Sequence, residues 1–451
     1  MINFFLDKKI YGIFIFIYLI SSINSPFFIP KNVELVTIFN FLRSLAPLFI
    51  VPFLLILFFL NKFKLSNSSL LFTILIVSQM IGFFLNEQRK FYDLYWLICS
   101  VSLVLFLEYY CNKISDIKKI ILVFISLIFI ITISISYFTV LEIIDNYISY
   151  KKIFYSTYAS DVTDINNNYL NQPVPRSSGY SRFLLIIFLF LLPFIFFTKN
   201  KKENLKFKII NILITLLLIF ISIMLWKIQN RSSLYFYLIL SLVFFYLIIK
   251  KKKIREIFYL SIIFILPYFV VQAEIVYKKK IVTNYIKIEI TNDKNDKEVD
   301  EFFNQNYRGD LNRASRWLRV NDSSGRVEIW KNSFEIIKKN FLFGLGPQTD
   351  RNTLNHNASN ILIYFFLCGG LFSIIIFFIY ATNLIFIFFD LLKSRNIIKI
   401  KNDKLLFSSI LIFSFLNFRG LTENSYSLYG IDMVGFLLSV KYLELSYKFN
   451  K

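Results

Sequence analysis

Ile209-Ile210-Asn211-Ile212-Leu213-Ile214-Thr215-Leu216-Leu217-Leu218-Ile219-Phe220-Ile221-Ser222-Ile223-Met224-Leu225-Trp226 carries no charge, and its polar residues are confined to Asn211, Thr215 and Ser222. Wound as a helix, it is apolar on nearly every face rather than along one stripe, so no aqueous side is left. At about 1.5 Å per residue, such a block comes close to the roughly 30 Å hydrocarbon core of a bilayer. Working outward, similar blocks centre near Phe16, Pro52, Ile76, Val101, Phe129, Phe190, Leu242, Phe264, Phe372, Ile412 and Leu437. Together they predict about twelve membrane-spanning helices and leave no room for a separate soluble domain. With 56% hydrophobic residues, 55 of them Phe, the chain is read as an all-α integral membrane protein. Residues 1–451 form a single polytopic domain. The first block follows Asp7, Lys8 and Lys9 and reaches about Ile29 without a small-x-small cleavage site, so it is read as a retained span.

The formal charge of +22 invites a nucleic-acid reading, but the lysines sit in short clusters between apolar blocks. They therefore report topology, and no nucleic-acid partner is expected. Lys8–Lys9, Lys62–Lys64, Lys113–Lys119, Lys199–Lys208, Lys250–Arg255, Lys393–Lys404 and the tail hold about 24 Lys and Arg, against about 6 in the short alternate connections. The positive-inside rule then puts both termini in the cytoplasm and two long connections, residues 142–180 and 277–358, on the opposite face. Cys99, Cys111 and Cys368 lack metal or CxxC spacing, so neither a disulfide nor a metal site is expected.

Arginine is distributed against this pattern. Of the 51 basic residues, about 14 are Arg, and in this topology only Arg255 and Arg395 fall in cytoplasmic loops. A guanidinium offers planar bidentate donors that suit phosphate or carboxylate, which makes an external anion a candidate ligand. Arg308, Arg313, Arg316 and Arg319 are equally consistent with lipid head groups or loop carboxylates. The context is sharper elsewhere. Arg176 and Arg182 lie in Pro175-Arg176-Ser177-Ser178-Gly179-Tyr180-Ser181-Arg182 just before a span, and Arg231 lies in the turn Gln229-Asn230-Arg231-Ser232-Ser233. There, backbone N–H groups and cations can converge on one anion, the alternative being arginines that snorkel beside a helix end.

Ser323-Ser324-Gly325-Arg326-Val327-Glu328-Ile329-Trp330 opens an amphipathic helix with Val327, Trp330, Phe334, Ile337 and Phe341 on one stripe, and either serine can cap it. Arg326 falls in its first turn, where the helix dipole disfavours a cation by about 0.3–1 kcal/mol. A bound anion would remove that conflict. Phe343-Gly344-Leu345-Gly346-Pro347 ends the helix and reads as a turn, not a nucleotide loop. The lone histidine, His356, stands in Leu354-Asn355-His356-Asn357 before the next span; an imidazole with an ordinary pKa near 6.5 can take a proton from an attacking hydroxyl, or can simply be solvated. In Arg419-Gly420-Leu421-Thr422-Glu423-Asn424-Ser425 and Tyr429-Gly430-Ile431-Asp432, the groups Arg419, Glu423 and Asp432 fit either an acceptor-sugar site or a structural ion pair.

Gly325-Arg326…Trp330, Gly344-Leu345-Gly346-Pro347, His356-Asn357 and Gly369-Gly370 together resemble the O-antigen polymerase and ligase superfamily. Arg176-Ser177-Ser178-Gly179 with Arg182, Arg231-Ser232-Ser233 and Arg419…Glu423-Asn424-Ser425…Asp432 are similar to its polymerase-type (Wzy-type) members. The resemblance implies a GT-C-like membrane glycosyltransferase whose large periplasmic loop contains the amphipathic helix. Its expected substrates are an undecaprenyl-diphosphate-linked glycan donor and acceptor, met at the periplasmic face of the bacterial inner membrane. No cofactor is implied, and a chain-length regulator is a candidate partner. On this reading Arg176, Arg182, Arg231 and Arg326 bind the diphosphate and stabilise its developing charge, and His356 is the general base or positions the acceptor, so that His356 and Arg326 are the expected catalytic residues. The spacing from His356 to Gly369 and the run Phe365-Phe366-Leu367-Cys368-Gly369 depart from the ligase pattern. A ligase acting on the lipid A core and a lipid-linked oligosaccharide flippase remain the alternatives.

Overall fold

The computed structural model describes residues 17–18, 21–22, 41, 51–52, 54–60, 64–86, 90–148, 177–196, 205–228, 230–250, 254–273, 276, 326–354, 358–393 and 403–450. Regular structure among them is helical: α1 (Asn67–Leu85), α2 (Phe91–Tyr110), α3 (Ile114–Ile148), α4 (Ser177–Phe196), α5 (Leu205–Ile228), α6 (Arg231–Lys250), α7 (Ile254–Phe264), α8 (Arg326–Lys339), α9 (Thr349–Thr353), α10 (Ile361–Leu392), α11 (Lys404–Gly420) and α12 (Ile431–Asn450). Ten of these helices each contain the centre of one of the apolar blocks. The blocks at Phe16 and Pro52 lie largely outside the described residues.

Five described segments are long and apolar enough to cross a membrane: Asn67–Leu85, Phe91–Tyr110, Lys208–Ile228, Glu256–Ala273 and Ile361–Leu391. Gly179–Ile195 and Arg231–Leu247 are shorter apolar helices. The chain is a multi-pass helical membrane protein. Helix α3 runs on to Ile148 and α4 begins at Ser177, so helix covers both edges of the expected 142–180 connection.

The chain divides into two compact units. One comprises Met1–Pro26, Val33–Leu127 and Ser323–Lys451; the other comprises Phe27–Asn32 and Ile128–Asp322. In the first, α1 lies along α10, α11 pairs with α12, and α12 also touches α10 and α2. In the second, α4 packs on α5 and α6, and α7 packs on α5 and α6.

The starts of α1, α10 and α11 are capped by side chains that accept otherwise orphaned N–H groups. Ser66 accepts from Ser69 N at 3.3 Å, and Asn360 accepts from Leu362 N at 2.8 Å and Ile363 N at 3.2 Å. Asp403 accepts from Leu406 N at 3.2 Å. Helix α12 carries Lys441 and Glu444 on buried positions, which isolated hydropathy would disfavour. Lys441 is paired within the bundle, its Nζ donating to Glu108 Oε2 at 2.5 Å, and Glu444 is hydrogen-bonded, its Oε2 lying 2.8 Å from Ser66 Oγ and its Oε1 accepting from Ser68 N at 3.3 Å. Charges paired this way are tolerated inside a membrane bundle.

Helix α10 is broken at Gly370, whose φ of 65° and ψ of −161° lie in a region only glycine readily visits. A break frees backbone groups at membrane depth, where no water can take them up. The chain that follows α8 does so instead. Leu345 N donates to Leu367 O at 3.0 Å and Gly346 N to Cys368 O at 2.8 Å, while Leu371 N donates to Phe341 O at 2.8 Å. The segment fits because its neighbours have no side chain. A Cβ on Gly344 would meet Cys368 C at 2.6 Å, and one on Gly82 of α1 would meet Phe343 O at 2.5 Å. The expected turn at Gly344–Pro347 is therefore present, but it also completes the backbone of a span.

Candidate functional site

In the first unit the site is built around the turn that follows the glycine segment. Gln348 adopts a left-handed conformation (φ 56°), and Thr349 Oγ1 donates to Gly346 O at 2.6 Å, which starts α9. Helix α9 is tied to the start of α2: Lys90 Nζ donates to Asn352 Oδ1 at 2.9 Å, and Asn352 Nδ2 to Asp93 Oδ2 at 2.8 Å. These contacts bury Asp350 completely, at 0% exposure. Its Oδ2 accepts from Ala358 N at 2.9 Å and from Asn424 Nδ2 at 2.7 Å, while Oδ1 has no hydrogen-bond partner among the described residues. Burial raises the Asp350 carboxyl above its ordinary value, against the lowering effect of these hydrogen bonds.

Arg326 opens α8 as expected and is half-buried, with Ser323 and Ser324 outside the described residues. The apolar stripe divides: Ile337 is buried, whereas Val327, Phe334 and Phe341 are exposed. Trp330 is half-buried, and its Nε1 donates to Ala358 O at 3.0 Å. The stripe therefore serves two surfaces, one inside the bundle and one outside it. Ala358 has both backbone groups held by side chains, its N–H by Asp350 and its carbonyl by Trp330.

Arg419 is 4% exposed, and its two terminal nitrogens reach Asp432 and Glu423. The i, i+4 spacing at the end of α11 brings Glu423 to it, and the short 3-10 turn Ser425–Ser427 returns the chain to Asp432. The ion pair, one of the two readings open for this trio, is formed in the structure. A forked cation between two carboxylates fixes the turn.

In the second unit, Asn230 Oδ1 accepts from Ser233 N at 3.2 Å and from Ser232 Oγ at 2.8 Å. That cap starts α6 at Arg231, so Arg231 is the first residue of a helix rather than part of a free turn. Ser233 Oγ donates to Ser181 Oγ at 3.2 Å, joining the first turns of α4 and α6. Arg182 and Arg231, each next in the chain to or two residues from a member of that pair, are thereby brought to one end of the same helix pair. Tyr180 OH and Ser136 Oγ, 2.6 Å apart, join α3 to the same end. Between α3, α4 and α5 lies an apolar cavity of about 300 Å³, lined by Phe129, Ser136, Leu184, Ile187, Leu217 and Ile221 among others. Arg176 and His356 lie outside the described residues.

Asp350 and Asn424 were not legible in sequence as site residues. An Asp next to Arg351 in a loop reads as a solvated pair, and nothing in the local pattern signals complete burial.

Residues 214–378 match the family model for O-antigen ligase (Wzy_C), so this segment of the chain is similar to that family. The matched segment contains Arg231, Arg326, the glycine segment, His356 and the α10 break; it excludes Arg182 and the Arg419 trio. No curated protein and no solved structure matches the chain.

Proposed function

We propose that this chain is an O-antigen polymerase, a GT-C-type glycosyltransferase of about twelve spans, with cytoplasmic termini and a periplasmic active face in the bacterial inner membrane. It transfers the growing glycan from undecaprenyl diphosphate to the terminal sugar hydroxyl of a lipid-linked repeat unit. The observation that carries the reading is the Ser181–Ser233 hydrogen bond at 3.2 Å, which brings Arg182, in the second turn of α4, and Arg231, the first residue of α6, to the same end of that helix pair. Arg231 stands at a helix N-terminus, where the dipole disfavours a cation by about 0.3–1 kcal/mol and favours an anion, so two guanidiniums at this end suit an anionic ligand. The apolar cavity begins within two turns of Arg182 along α4, at Leu184 and Ile187. That arrangement suits a diphosphate carrying an isoprenoid tail.

In the reaction, the acceptor hydroxyl oxygen bonds to the donor's anomeric carbon as the bond from that carbon to the diphosphate oxygen breaks. The hydroxyl proton passes to His356, and the electron pair leaves on undecaprenyl diphosphate. Arg176, Arg182, Arg231 and Arg326 stabilise the leaving group's charge. Arg419, Glu423 and Asp432 fix the turn between α11 and α12.

The test is extension of a synthetic undecaprenyl-diphosphate-linked repeat unit by purified protein in nanodiscs, read as a ladder of products. A protein that extends nothing but moves finished glycan onto lipid A core is a ligase, and the polymerase reading fails. Deleting the gene gives the same discrimination in cells: loss of a polymerase leaves lipopolysaccharide with one repeat, and loss of a ligase leaves bare core.

A further inference from the structure

The Asp350 carboxylate is a shared acceptor between three parts of the first unit, two of which are also joined by Asn360 Nδ2 donating to Leu421 O at 3.0 Å. It lies on α9, receives the N–H of Ala358 just ahead of α10, and receives the side chain of Asn424 from the turn that follows Arg419. Ala358 is also held through its carbonyl by Trp330 of α8. Both backbone groups of a residue two positions after His356 are thus fixed by side chains from elsewhere in the fold. Asn424 is itself 6% exposed and follows Glu423, the partner of Arg419. The start of the α10 span, the amphipathic helix and the Arg419 trio therefore share one buried node.

We infer that Asp350 is a positioning residue for glycan transfer, setting the start of α10 against the Asn424 turn through its shared Oδ2. This rests on the proposed reaction and on His356 as its base. The requirement is for an acceptor that serves two N–H donors at once, and an amide oxygen can meet it as well as a carboxylate can. Removing the acceptor strands two buried donors. Reversing the polarity at Asn424 sets two buried carboxylates face to face, at a position where the present contact is 2.7 Å.

Four variants of the full-length protein in nanodiscs test this: Asp350→Ala, Asp350→Asn, Asn424→Asp, and Asp350→Asn combined with Asn424→Asp. Initial rates of repeat-unit extension are measured over a range of lipid-linked substrate. Asp350→Ala is expected to lower kcat by up to about 100-fold, the effect of misplacing a reacting group by about 1 Å, with KM within about 3-fold of the parent. Asp350→Asn should keep kcat within about 5-fold, since the acceptor survives. Asn424→Asp should lose activity, and the double variant should regain at least about tenfold. In it only one carboxylate remains at the contact, so the repulsion of the single variant is gone, while the oxygen of the amide introduced at position 350 still accepts from Ala358 N.

Parental kcat in Asp350→Ala would overturn the inference. So would Asp350→Asn as inactive as Asp350→Ala, or a double variant no better than Asn424→Asp. A loss confined to KM would also overturn it, by making Asp350 part of substrate binding. A parent that extends nothing refutes polymerisation, and the inference falls with it. A parent that extends while Asp350→Ala matches it refutes the inference alone.

Discussion

Replacing Gly370 by alanine perturbs the break in α10 at its least tolerant point. The residue has φ 65° and ψ −161°, and holding a residue with a Cβ in such a region costs on the order of 1–3 kcal/mol. The added Cβ would also meet Phe343 N at 2.5 Å, with Leu342 O closer still. These are backbone atoms, so relief requires moving the segment that supplies the Leu371 N–Phe341 O hydrogen bond of 2.8 Å. Loss of one or two such bonds adds about 1–2 kcal/mol, for a total of about 2–5 kcal/mol. Cys368 reports on the same place: it is fully buried, and its carbonyl accepts from Gly346 N. With Cys99 and Cys111 changed to alanine, maleimide labelling of Cys368 measures local opening. A loss of about 3 kcal/mol or more corresponds to labelling about 100-fold faster or more when opening is in rapid equilibrium. Gly420→Ala serves as the control, since its Cβ would meet only Ile361 Cγ2 at 3.3 Å, the end of a side chain that can give. Labelling in Gly370→Ala within threefold of the control would refute the reasoning about the break.

Four further outcomes are expected. Arg419→Met strands the buried Asp432 carboxylate and leaves the half-buried Glu423 unpaired, and should destabilise the first unit by about 3–5 kcal/mol, with Arg419→Lys intermediate; equal thermal unfolding of all three proteins would exclude a structural ion pair. His356→Ala should lower extension by about 10²–10⁴-fold, and a rate within a few-fold of the parent removes His356 from the reaction. Arg231→Lys and Arg326→Lys keep charge but lose the planar fork, so polymer amount should fall in each; unaltered polymer counts against diphosphate recognition. Because burial raises the Asp350 carboxyl, the native state holds that proton more tightly than the unfolded chain. Its stabilising contribution is complete below the ordinary carboxylate range and is lost as pH rises through the raised value. Asp350→Asn should flatten that decline in a series of thermal unfolding curves, and an unchanged slope would sink the assignment.

Helix placement was legible because membrane solvation imposes a long apolar length on each span, whatever its neighbours. The blocks at Ile76, Val101 and Leu216 became α1, α2 and α5, and Arg326 does begin an amphipathic helix. The Arg419–Glu423 pair was also within reach, since i, i+4 spacing is a local property. The α10 break was hidden for the complementary reason. Phe365 to Phe372 keeps an apolar average across Gly369-Gly370, and what decides the conformation is the backbone of residues 341–346 arriving from outside. Asp350 was missed on the same ground. Its burial depends on Asn424, far along the chain, and on the contacts that dock α9 to α2.

The glycine interlock also bears on how the molecule is made. Gly82 belongs to an early-synthesised part of the chain, whereas the segment from Phe341 to Gly346 and the break at Gly370 emerge late. While a span lies in lipid, its peptide groups need partners at every moment. The α10 region therefore has a reason to enter the bilayer as one continuous helix and to open only when the late segment slides in beside α1. Insertion and maturation become separate events. A protein halted between them would have every span correctly oriented and still lack the support that its outer face is built upon.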